Sequence, residues 1–150
     1  MSRSLVLLRQ LVAIPSVNPM RRDLSGPELF EGRLSDFLEG FFRRLGVPCE
    51  RIEVVAGRAN VVARYDPPGA RRTVLLDAHQ DTVPVDGMTV EPFTPAERDG
   101  RLYGRGACDV KGGLASMLAA FERLVHERPA GAASVILSCT CDEEANMLGI

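Results

Sequence analysis

Three acidic clusters in this chain have the residue types and spacing to do chemistry. His79-Gln80-Asp81 closes one apolar run, and Asp142-Glu143-Glu144 closes another. Between them lies Gly104–Gly113, reading GRGACDVKGG, which holds the single carboxylate Asp109 among four glycines and enters an amphipathic segment. Taken singly, each has an ordinary structural reading. Asp109 reads as a helix N-cap, HQD as a polar loop and DEE as a solvated acidic turn. Taken together, they gather Asp81, Asp109, Glu143 and Glu144 around one histidine. Carboxylates that close repel, and some stay protonated unless a cation sits among them. One histidine among carboxylates suits zinc, and also cobalt or manganese. Glu143 and Glu144 are adjacent at a strand end and need not face the same way. One can hold metal while the other faces a water, as metal-assisted hydrolysis requires. In His79-x-Asp81 the carboxylate can accept the second ring N–H of the histidine and fix its tautomer.

The elements that must position these groups follow from periodicity. Leu5, Leu8, Leu11 and Val12 predict a helix over Ser4–Ile14, stopped by Pro15. A second helix is expected from near Ser25, with Pro27 in its first turn, an apolar stripe from Phe30 to Leu45, and Gly46 at its end. Arg51–Val55 and Asn60–Tyr65 read as strands, and PPGARR reads as a surface turn with solvated arginines. Thr73–Ala78 is apolar almost throughout, as expected of a strand covered on both faces. Asp99-Gly100 marks a hairpin. From Gly113 a helix carries Leu114, Leu118 and Phe121 on one face and ends before Pro129, with His126 favourably placed in its last turn. Ala133–Cys141 reads as a second buried strand. The class is therefore α/β, with a mainly parallel or mixed sheet between helices. Ligands gather outside the carboxyl ends of strands in such sheets, so one crossover unit delivers all three clusters to one edge.

Bulk properties narrow the field. The 150 residues make one domain's worth of chain, with 45% hydrophobic and 25% charged residues and a net charge of −2. There is no basic block and no apolar run near the ~20 residues of a membrane span. We expect a cytoplasmic protein that engages neither nucleic acid nor membrane. Cys49, Cys108, Cys139 and Cys141 do not form the framework of a small secreted domain and read as buried thiols. Lys111 is the only lysine, which looks like a coding bias.

The motifs His79-Gln80-Asp81-Thr82-Val83-Pro84, Gly104–Gly113 and Asp142-Glu143-Glu144, with the opening LLRQLVAIPSVNP, resemble the dinuclear-zinc amidohydrolases. That family includes acetylornithine deacetylase, succinyl-diaminopimelate desuccinylase, aminoacylase and the glutamate carboxypeptidases. The resemblance implies a zinc-exopeptidase-like catalytic domain that binds two divalent ions, with His79 on the first, Asp109 bridging both and Glu144 on the second. It makes Glu143 the general base and then the general acid, and Asp81 the residue that orients His79. It also implies a peptide bond after Asp109 that is often cis. The substrate would be an N-acyl amino acid or small peptide, and the full-length form a homodimer. By the same resemblance one further ligand for each metal and a lid domain lie beyond Ile150. Residues 1–150 are thus expected to be the N-terminal part of a truncated catalytic domain, with weak metal binding and little activity alone. The alternative is an inactive fragment or non-catalytic subunit of such an enzyme.

Overall fold

A computed structural model describes all 150 residues, Met1 to Ile150. Helix α1 spans Arg3–Val12 and α2 spans Gly32–Leu45. Strands β1 (Cys49–Val55), β2 (Arg58–Tyr65) and β3 (Thr73–His79) follow, then the short pair β4 (Ala96–Arg98) and β5 (Arg101–Tyr103). Helix α3 (Lys111–Glu127) and strand β6 (Ser134–Thr140) complete the order. No helix is long and apolar enough to cross a membrane.

Ser2 starts α1 by accepting the Leu5 N–H on its Oγ at 3.3 Å, an N-cap that satisfies one orphan donor. Its last carbonyls have an unusual partner. Lys111 is 1% exposed, and its Nζ donates to Leu11 O at 3.0 Å and Ile14 O at 2.7 Å. The one lysine therefore ties the first residue of α3 to the end of α1. Burial, with help from the positive charge of Arg33, pushes its pKa down to about 7.

The second helix starts seven residues later than its sequence predicts. Residues 28–30 spend their backbone groups on Val17 instead: Val17 N–H donates to Glu28 O at 2.9 Å, and Phe30 N–H to Val17 O at 2.8 Å. Phe30 lies at φ +62°, which no α-helix interior accepts. Gly46, at φ +68°, ends the helix as expected.

The sheet order is β1-β2-β6-β3, with β3 and β6 parallel and the other pairs antiparallel. A mixed sheet was expected, and the parallel pair is the predicted crossover, with α3 joining its strands. Val61, Ala63, Ala78, Leu137 and Cys139 share one face with Leu11, Leu38, Phe42, Leu118 and Phe121 in a single core cluster. Helices α2 and α3 pack on that face, and α1 packs against α3. The other face carries Val62 and Ile136, half-buried, and Leu75, exposed. β3 is an edge strand, with Leu75 63% and Val74 44% exposed. Its apolar run reads like a strand covered on both faces, but hydrophobicity does not say which neighbours this chain supplies.

The Asp99-Gly100 hairpin forms as predicted, with both residues at positive φ (51° and 72°). The Asp109–Val110 peptide is cis. Gly106 sits at φ +77°, where a Cβ would lie 2.7 Å from Thr82 Cγ2. The Asp109 loop can therefore lie against the end of β3 only with glycine there. All four cysteines are free. Cys139 and Cys141 are buried, and burial pushes the Cys141 thiol up to about 11. Cys108 is exposed and Cys49 half-buried, so the expectation of buried thiols holds for two of the four.

Two outcomes follow for stability. Phe42→Ala, which empties a fully buried site between Phe41 and Phe121, is expected to cost about 3–5 kcal/mol in urea unfolding. Leu75→Ala should stay within about 0.5 kcal/mol; a larger loss would mean that β3 is not an edge. Lys111 gives a pH signature. Folded Lys111 holds its proton less tightly than unfolded Lys111, so the burial penalty is complete below pH 7 and fades as pH rises from there toward the ordinary lysine range. The stability difference between wild type and Lys111→Met should therefore move in favour of wild type between pH 7 and 10. A flat difference would contradict it.

Candidate metal centre

The site is assembled at the carboxyl ends of β3 and β6. Gln80 N–H donates to Thr140 O at 2.7 Å, which keeps the two strand ends together. The Gln80 side chain turns inward and is fully buried. Its Nε2 donates to Ala59 O at 3.0 Å and Cys139 O at 2.8 Å, and its Oε1 accepts from Ser35 Oγ at 2.8 Å. With the middle residue of HQD fixed in the core, His79 and Asp81 face the site.

His79 is 8% exposed. Its Nδ1 lies 2.9 Å from the backbone carbonyl of Asp81, and its Nε2 lies 3.2 Å from Asp109 Oδ1. A carbonyl only accepts, so Nδ1 carries the proton and a neutral ring offers the Nε2 lone pair to Asp109. Two acceptors facing each other at that distance call for a proton or a cation between them. The Asp81 carboxylate stands 3.7 Å from Nδ1, beyond hydrogen-bond range. The second ring N–H is thus taken by the main chain of Asp81, not by its carboxylate.

The Asp81 carboxylate does other work. Its Oδ1 accepts the Glu143 N–H at 3.1 Å, and its Oδ2 accepts the Glu144 N–H at 3.1 Å and Asn18 Nδ2 at 2.7 Å. It is 1% exposed. Asp81 therefore fixes the backbone of the two glutamates. The same turn is held from below by Asp142, fully buried at φ +61°. Asp142 accepts from Asn18 at 3.0 Å, Asn146 at 3.0 Å and Arg58, and its N–H donates to Glu31 Oε1 at 3.2 Å. Arg58 in turn grips the fully buried Glu31 through both Nε, at 3.0 Å, and Nη2. Burial works against the Asp142 carboxylate, but Asn18, Asn146 and Arg58 hold it below the usual range.

Asp109 is the exposed member, with a side chain 76% accessible. It does not cap α3: the N-cap is Val110, and no side chain caps that end. One ligand atom each from His79, Asp109 and Glu144 lies within 4.8 Å of the others. Glu143 Oε2 stands 3.6 Å from His79 Nε2. Burial raises the Glu144 pKa; Asp109, Asp81 and Glu143 push it further, and His79 opposes them. These donors suit a divalent cation: an imidazole lone pair, two carboxylates and an electrostatic conflict that positive charge would relieve. The structure thus brings together all five residues singled out by sequence. Sequence reading missed Asn18, Glu31 and Arg58. Asn18 lies in a segment that reads only as a turn, and the Glu31–Arg58 pair spans 27 residues with no local signal.

Over 151 aligned residues the chain is 40% identical to succinyl-diaminopimelate desuccinylase of Delftia acidovorans, and over 148 it is 38% identical to that of Herminiimonas arsenicoxydans. Each alignment covers 96% of this chain and 36% of the relative, so the chain spans about a third of their length. Among solved structures it resembles an M20 family metallo-carboxypeptidase from Sulfolobus solfataricus, with TM-score 0.78 and 25% identity over 96% of this chain and 31% of that one. Human carnosine dipeptidase 1 shares the fold, with TM-score 0.79 and 23% identity over 98% of this chain and 33% of that one. The profile of peptidase family M20/M25/M40 matches residues 75–150, which include His79, Asp109, Glu143 and Glu144. The chain belongs to that family.

Proposed function

We propose that this chain carries the metal-holding part of a hydrolase that cleaves the amide bond of an N-acyl amino acid or small peptide. The observation that carries the reading is the convergence of donor atoms from His79, Asp109 and Glu144, on three separate elements, within 4.8 Å. The desuccinylase relatives and the metallo-carboxypeptidase supply the reaction class. In this reading the site takes two divalent ions, zinc first, with cobalt or manganese as substitutes. His79 would hold one ion and Glu144 the other, with Asp109 available to both. Bound metal supplies Lewis acidity and a more acidic water.

The chain's own residues divide the remaining work. Glu143 takes the proton of the attacking water and returns it to the leaving amine nitrogen, which suits a carboxylate poised at the edge of the cluster. Asp81 orients His79 through its main chain and the two glutamates through its carboxylate. His79 keeps its proton on Nδ1 and its lone pair toward Asp109. The reading places residues 1–150 in the N-terminal part of a larger catalytic unit, with a lid and the dimer contacts in further chain.

Zinc titration followed by thermal unfolding tests the metal reading, because a ligand that binds only the folded state raises its stability. Wild type should be stabilised, and Asp109→Asn should lose at least about tenfold in affinity, since it removes a ligand common to both ions. The pH dependence has a defined sign. Zinc needs the Glu144 carboxylate ionised, so zinc stabilisation should decline as pH falls through a range above that of an ordinary glutamate. Absence of any zinc effect on wild type would defeat the metal assignment.

Glu143→Gln separates binding from catalysis. It should keep zinc affinity within about threefold, while hydrolysis of N-succinyl and N-acetyl amino acids drops by about 10²–10⁴. Residues 1–150 alone are expected to turn over slowly. Co-expression with the complementary two-thirds of the Delftia acidovorans desuccinylase should raise the rate. Equal rates for wild type and Glu143→Gln in that assembly would remove Glu143 from the mechanism.

A further inference from the structure

A second polar surface lies at the opposite end of the sheet, where β3 and β6 begin. The seven residues of β3 put it roughly 20 Å from His79. Two tight turns lie there. In residues 67–70 the Ala70 N–H donates to Pro67 O at 3.2 Å with Gly69 at φ +76°, and in residues 129–132 the Ala132 N–H donates to Pro129 O at 3.3 Å with Gly131 at φ +73°. Glycine at the third position is what a type II turn demands. The turns are joined by the Ser134 N–H, which donates to Arg72 O at 2.9 Å.

Three adjoining cavities run along this end. One of about 430 Å³ is lined by Arg64, Arg71, Arg72 and Ser134, among others. A second, about 310 Å³, shares Arg71 and Arg72 with it and reaches the Gly131 turn. A third, about 330 Å³, shares Arg64 and adds Arg128. The first shares lining residues with each of the other two, so together they form a grooved stretch of surface that carries four arginines. Its one carboxylate, Asp66, is already paired with Arg64. Arg71, Arg72 and Arg128 have no acidic partner, and the Arg128 side chain donates only to Val125 O, from Nε at 3.4 Å. The net charge of the chain is −2, so this is a local concentration of positive charge far from the acidic centre. Guanidinium groups bind phosphate and carboxylate oxygens in pairs.

We propose that this groove binds a small, multiply charged oxyanion, at a site separate from the metal centre and independent of it. The test is calorimetric titration of the metal-free full chain with tripolyphosphate in one arm and citrate in the other, at low salt. Saturable 1:1 binding is expected, and the tighter arm identifies the oxyanion as phosphate or carboxylate. Arg71→Ala with Arg72→Ala should weaken binding at least about tenfold. Arg43→Ala with Arg44→Ala, an exposed pair at the end of α2 that lines none of these cavities, should leave it within about twofold. Should the alanine pair disturb folding, Arg71→Gln with Arg72→Gln gives the same comparison. Failure of both anions to saturate, or equal losses in the two arginine pairs, overturns the proposal.

Discussion

The buried guanidinium of Arg58 is the interaction on which the rest of the site depends. It is the cation that lies among Glu31 and Asp142, both fully buried, and it stands 3.9 Å from Asp81. Buried carboxylates are tolerated only when a partner and further hydrogen bonds compensate their lost hydration. Glu31 receives the paired donors of Arg58 and the Asp142 N–H. Asp142 receives Arg58, Asn18 and Asn146. These bonds link the residue just before α2, the first residue of β2 and the turn after β6. Elements distant in sequence are thereby locked around one charge, and that lock sets where the Glu143–Glu144 backbone lies.

Two populations of carboxylate result, separated by depth. Glu31, Asp81 and Asp142 are buried and fully engaged by donors of the protein. Asp109, Glu143 and Glu144 lie above them, accessible in varying degree, and find few donors. Asp142 and Glu144 are two residues apart, yet their affinities for protons shift in opposite directions. Burial disfavours the ionised form of both. For Asp142 the amides and Arg58 outweigh it, whereas for Glu144 the neighbouring carboxylates reinforce it. The lower layer is complete as a structure, and the upper layer is electrostatically open toward a cation.

Much of this was legible in the sequence because it rests on local signals. The β3–α3–β6 crossover follows from two apolar runs flanking a 3.6-residue period, and the hairpin follows from Asp99-Gly100. Placing both strands parallel in one sheet then brings HQD, Asp109 and DEE to one edge. What stayed hidden depends on partners far along the chain. The start of α2 is displaced because Val17 captures the backbone of residues 28–30. Lys111 looks like a compositional accident, but its ammonium holds the end of α1. The edge position of β3 could not be read from TVLLDA, since side-chain character records hydrophobicity and not strand order.

The atom that orients His79 shows how such non-local demands reassign a residue within the right motif. Sequence spacing points to the Asp81 carboxylate. In the structure, that carboxylate already accepts from the Glu143 and Glu144 N–H groups and from Asn18. Those three donors hold it 3.7 Å from Nδ1. The backbone carbonyl of the same residue, at 2.9 Å, takes the imidazole proton instead. One residue therefore serves two elements: its main chain sets the tautomer at the end of β3, and its side chain sets the turn after β6. A change of side chain at position 81 can then disturb the two glutamates first and reach His79 only through the backbone.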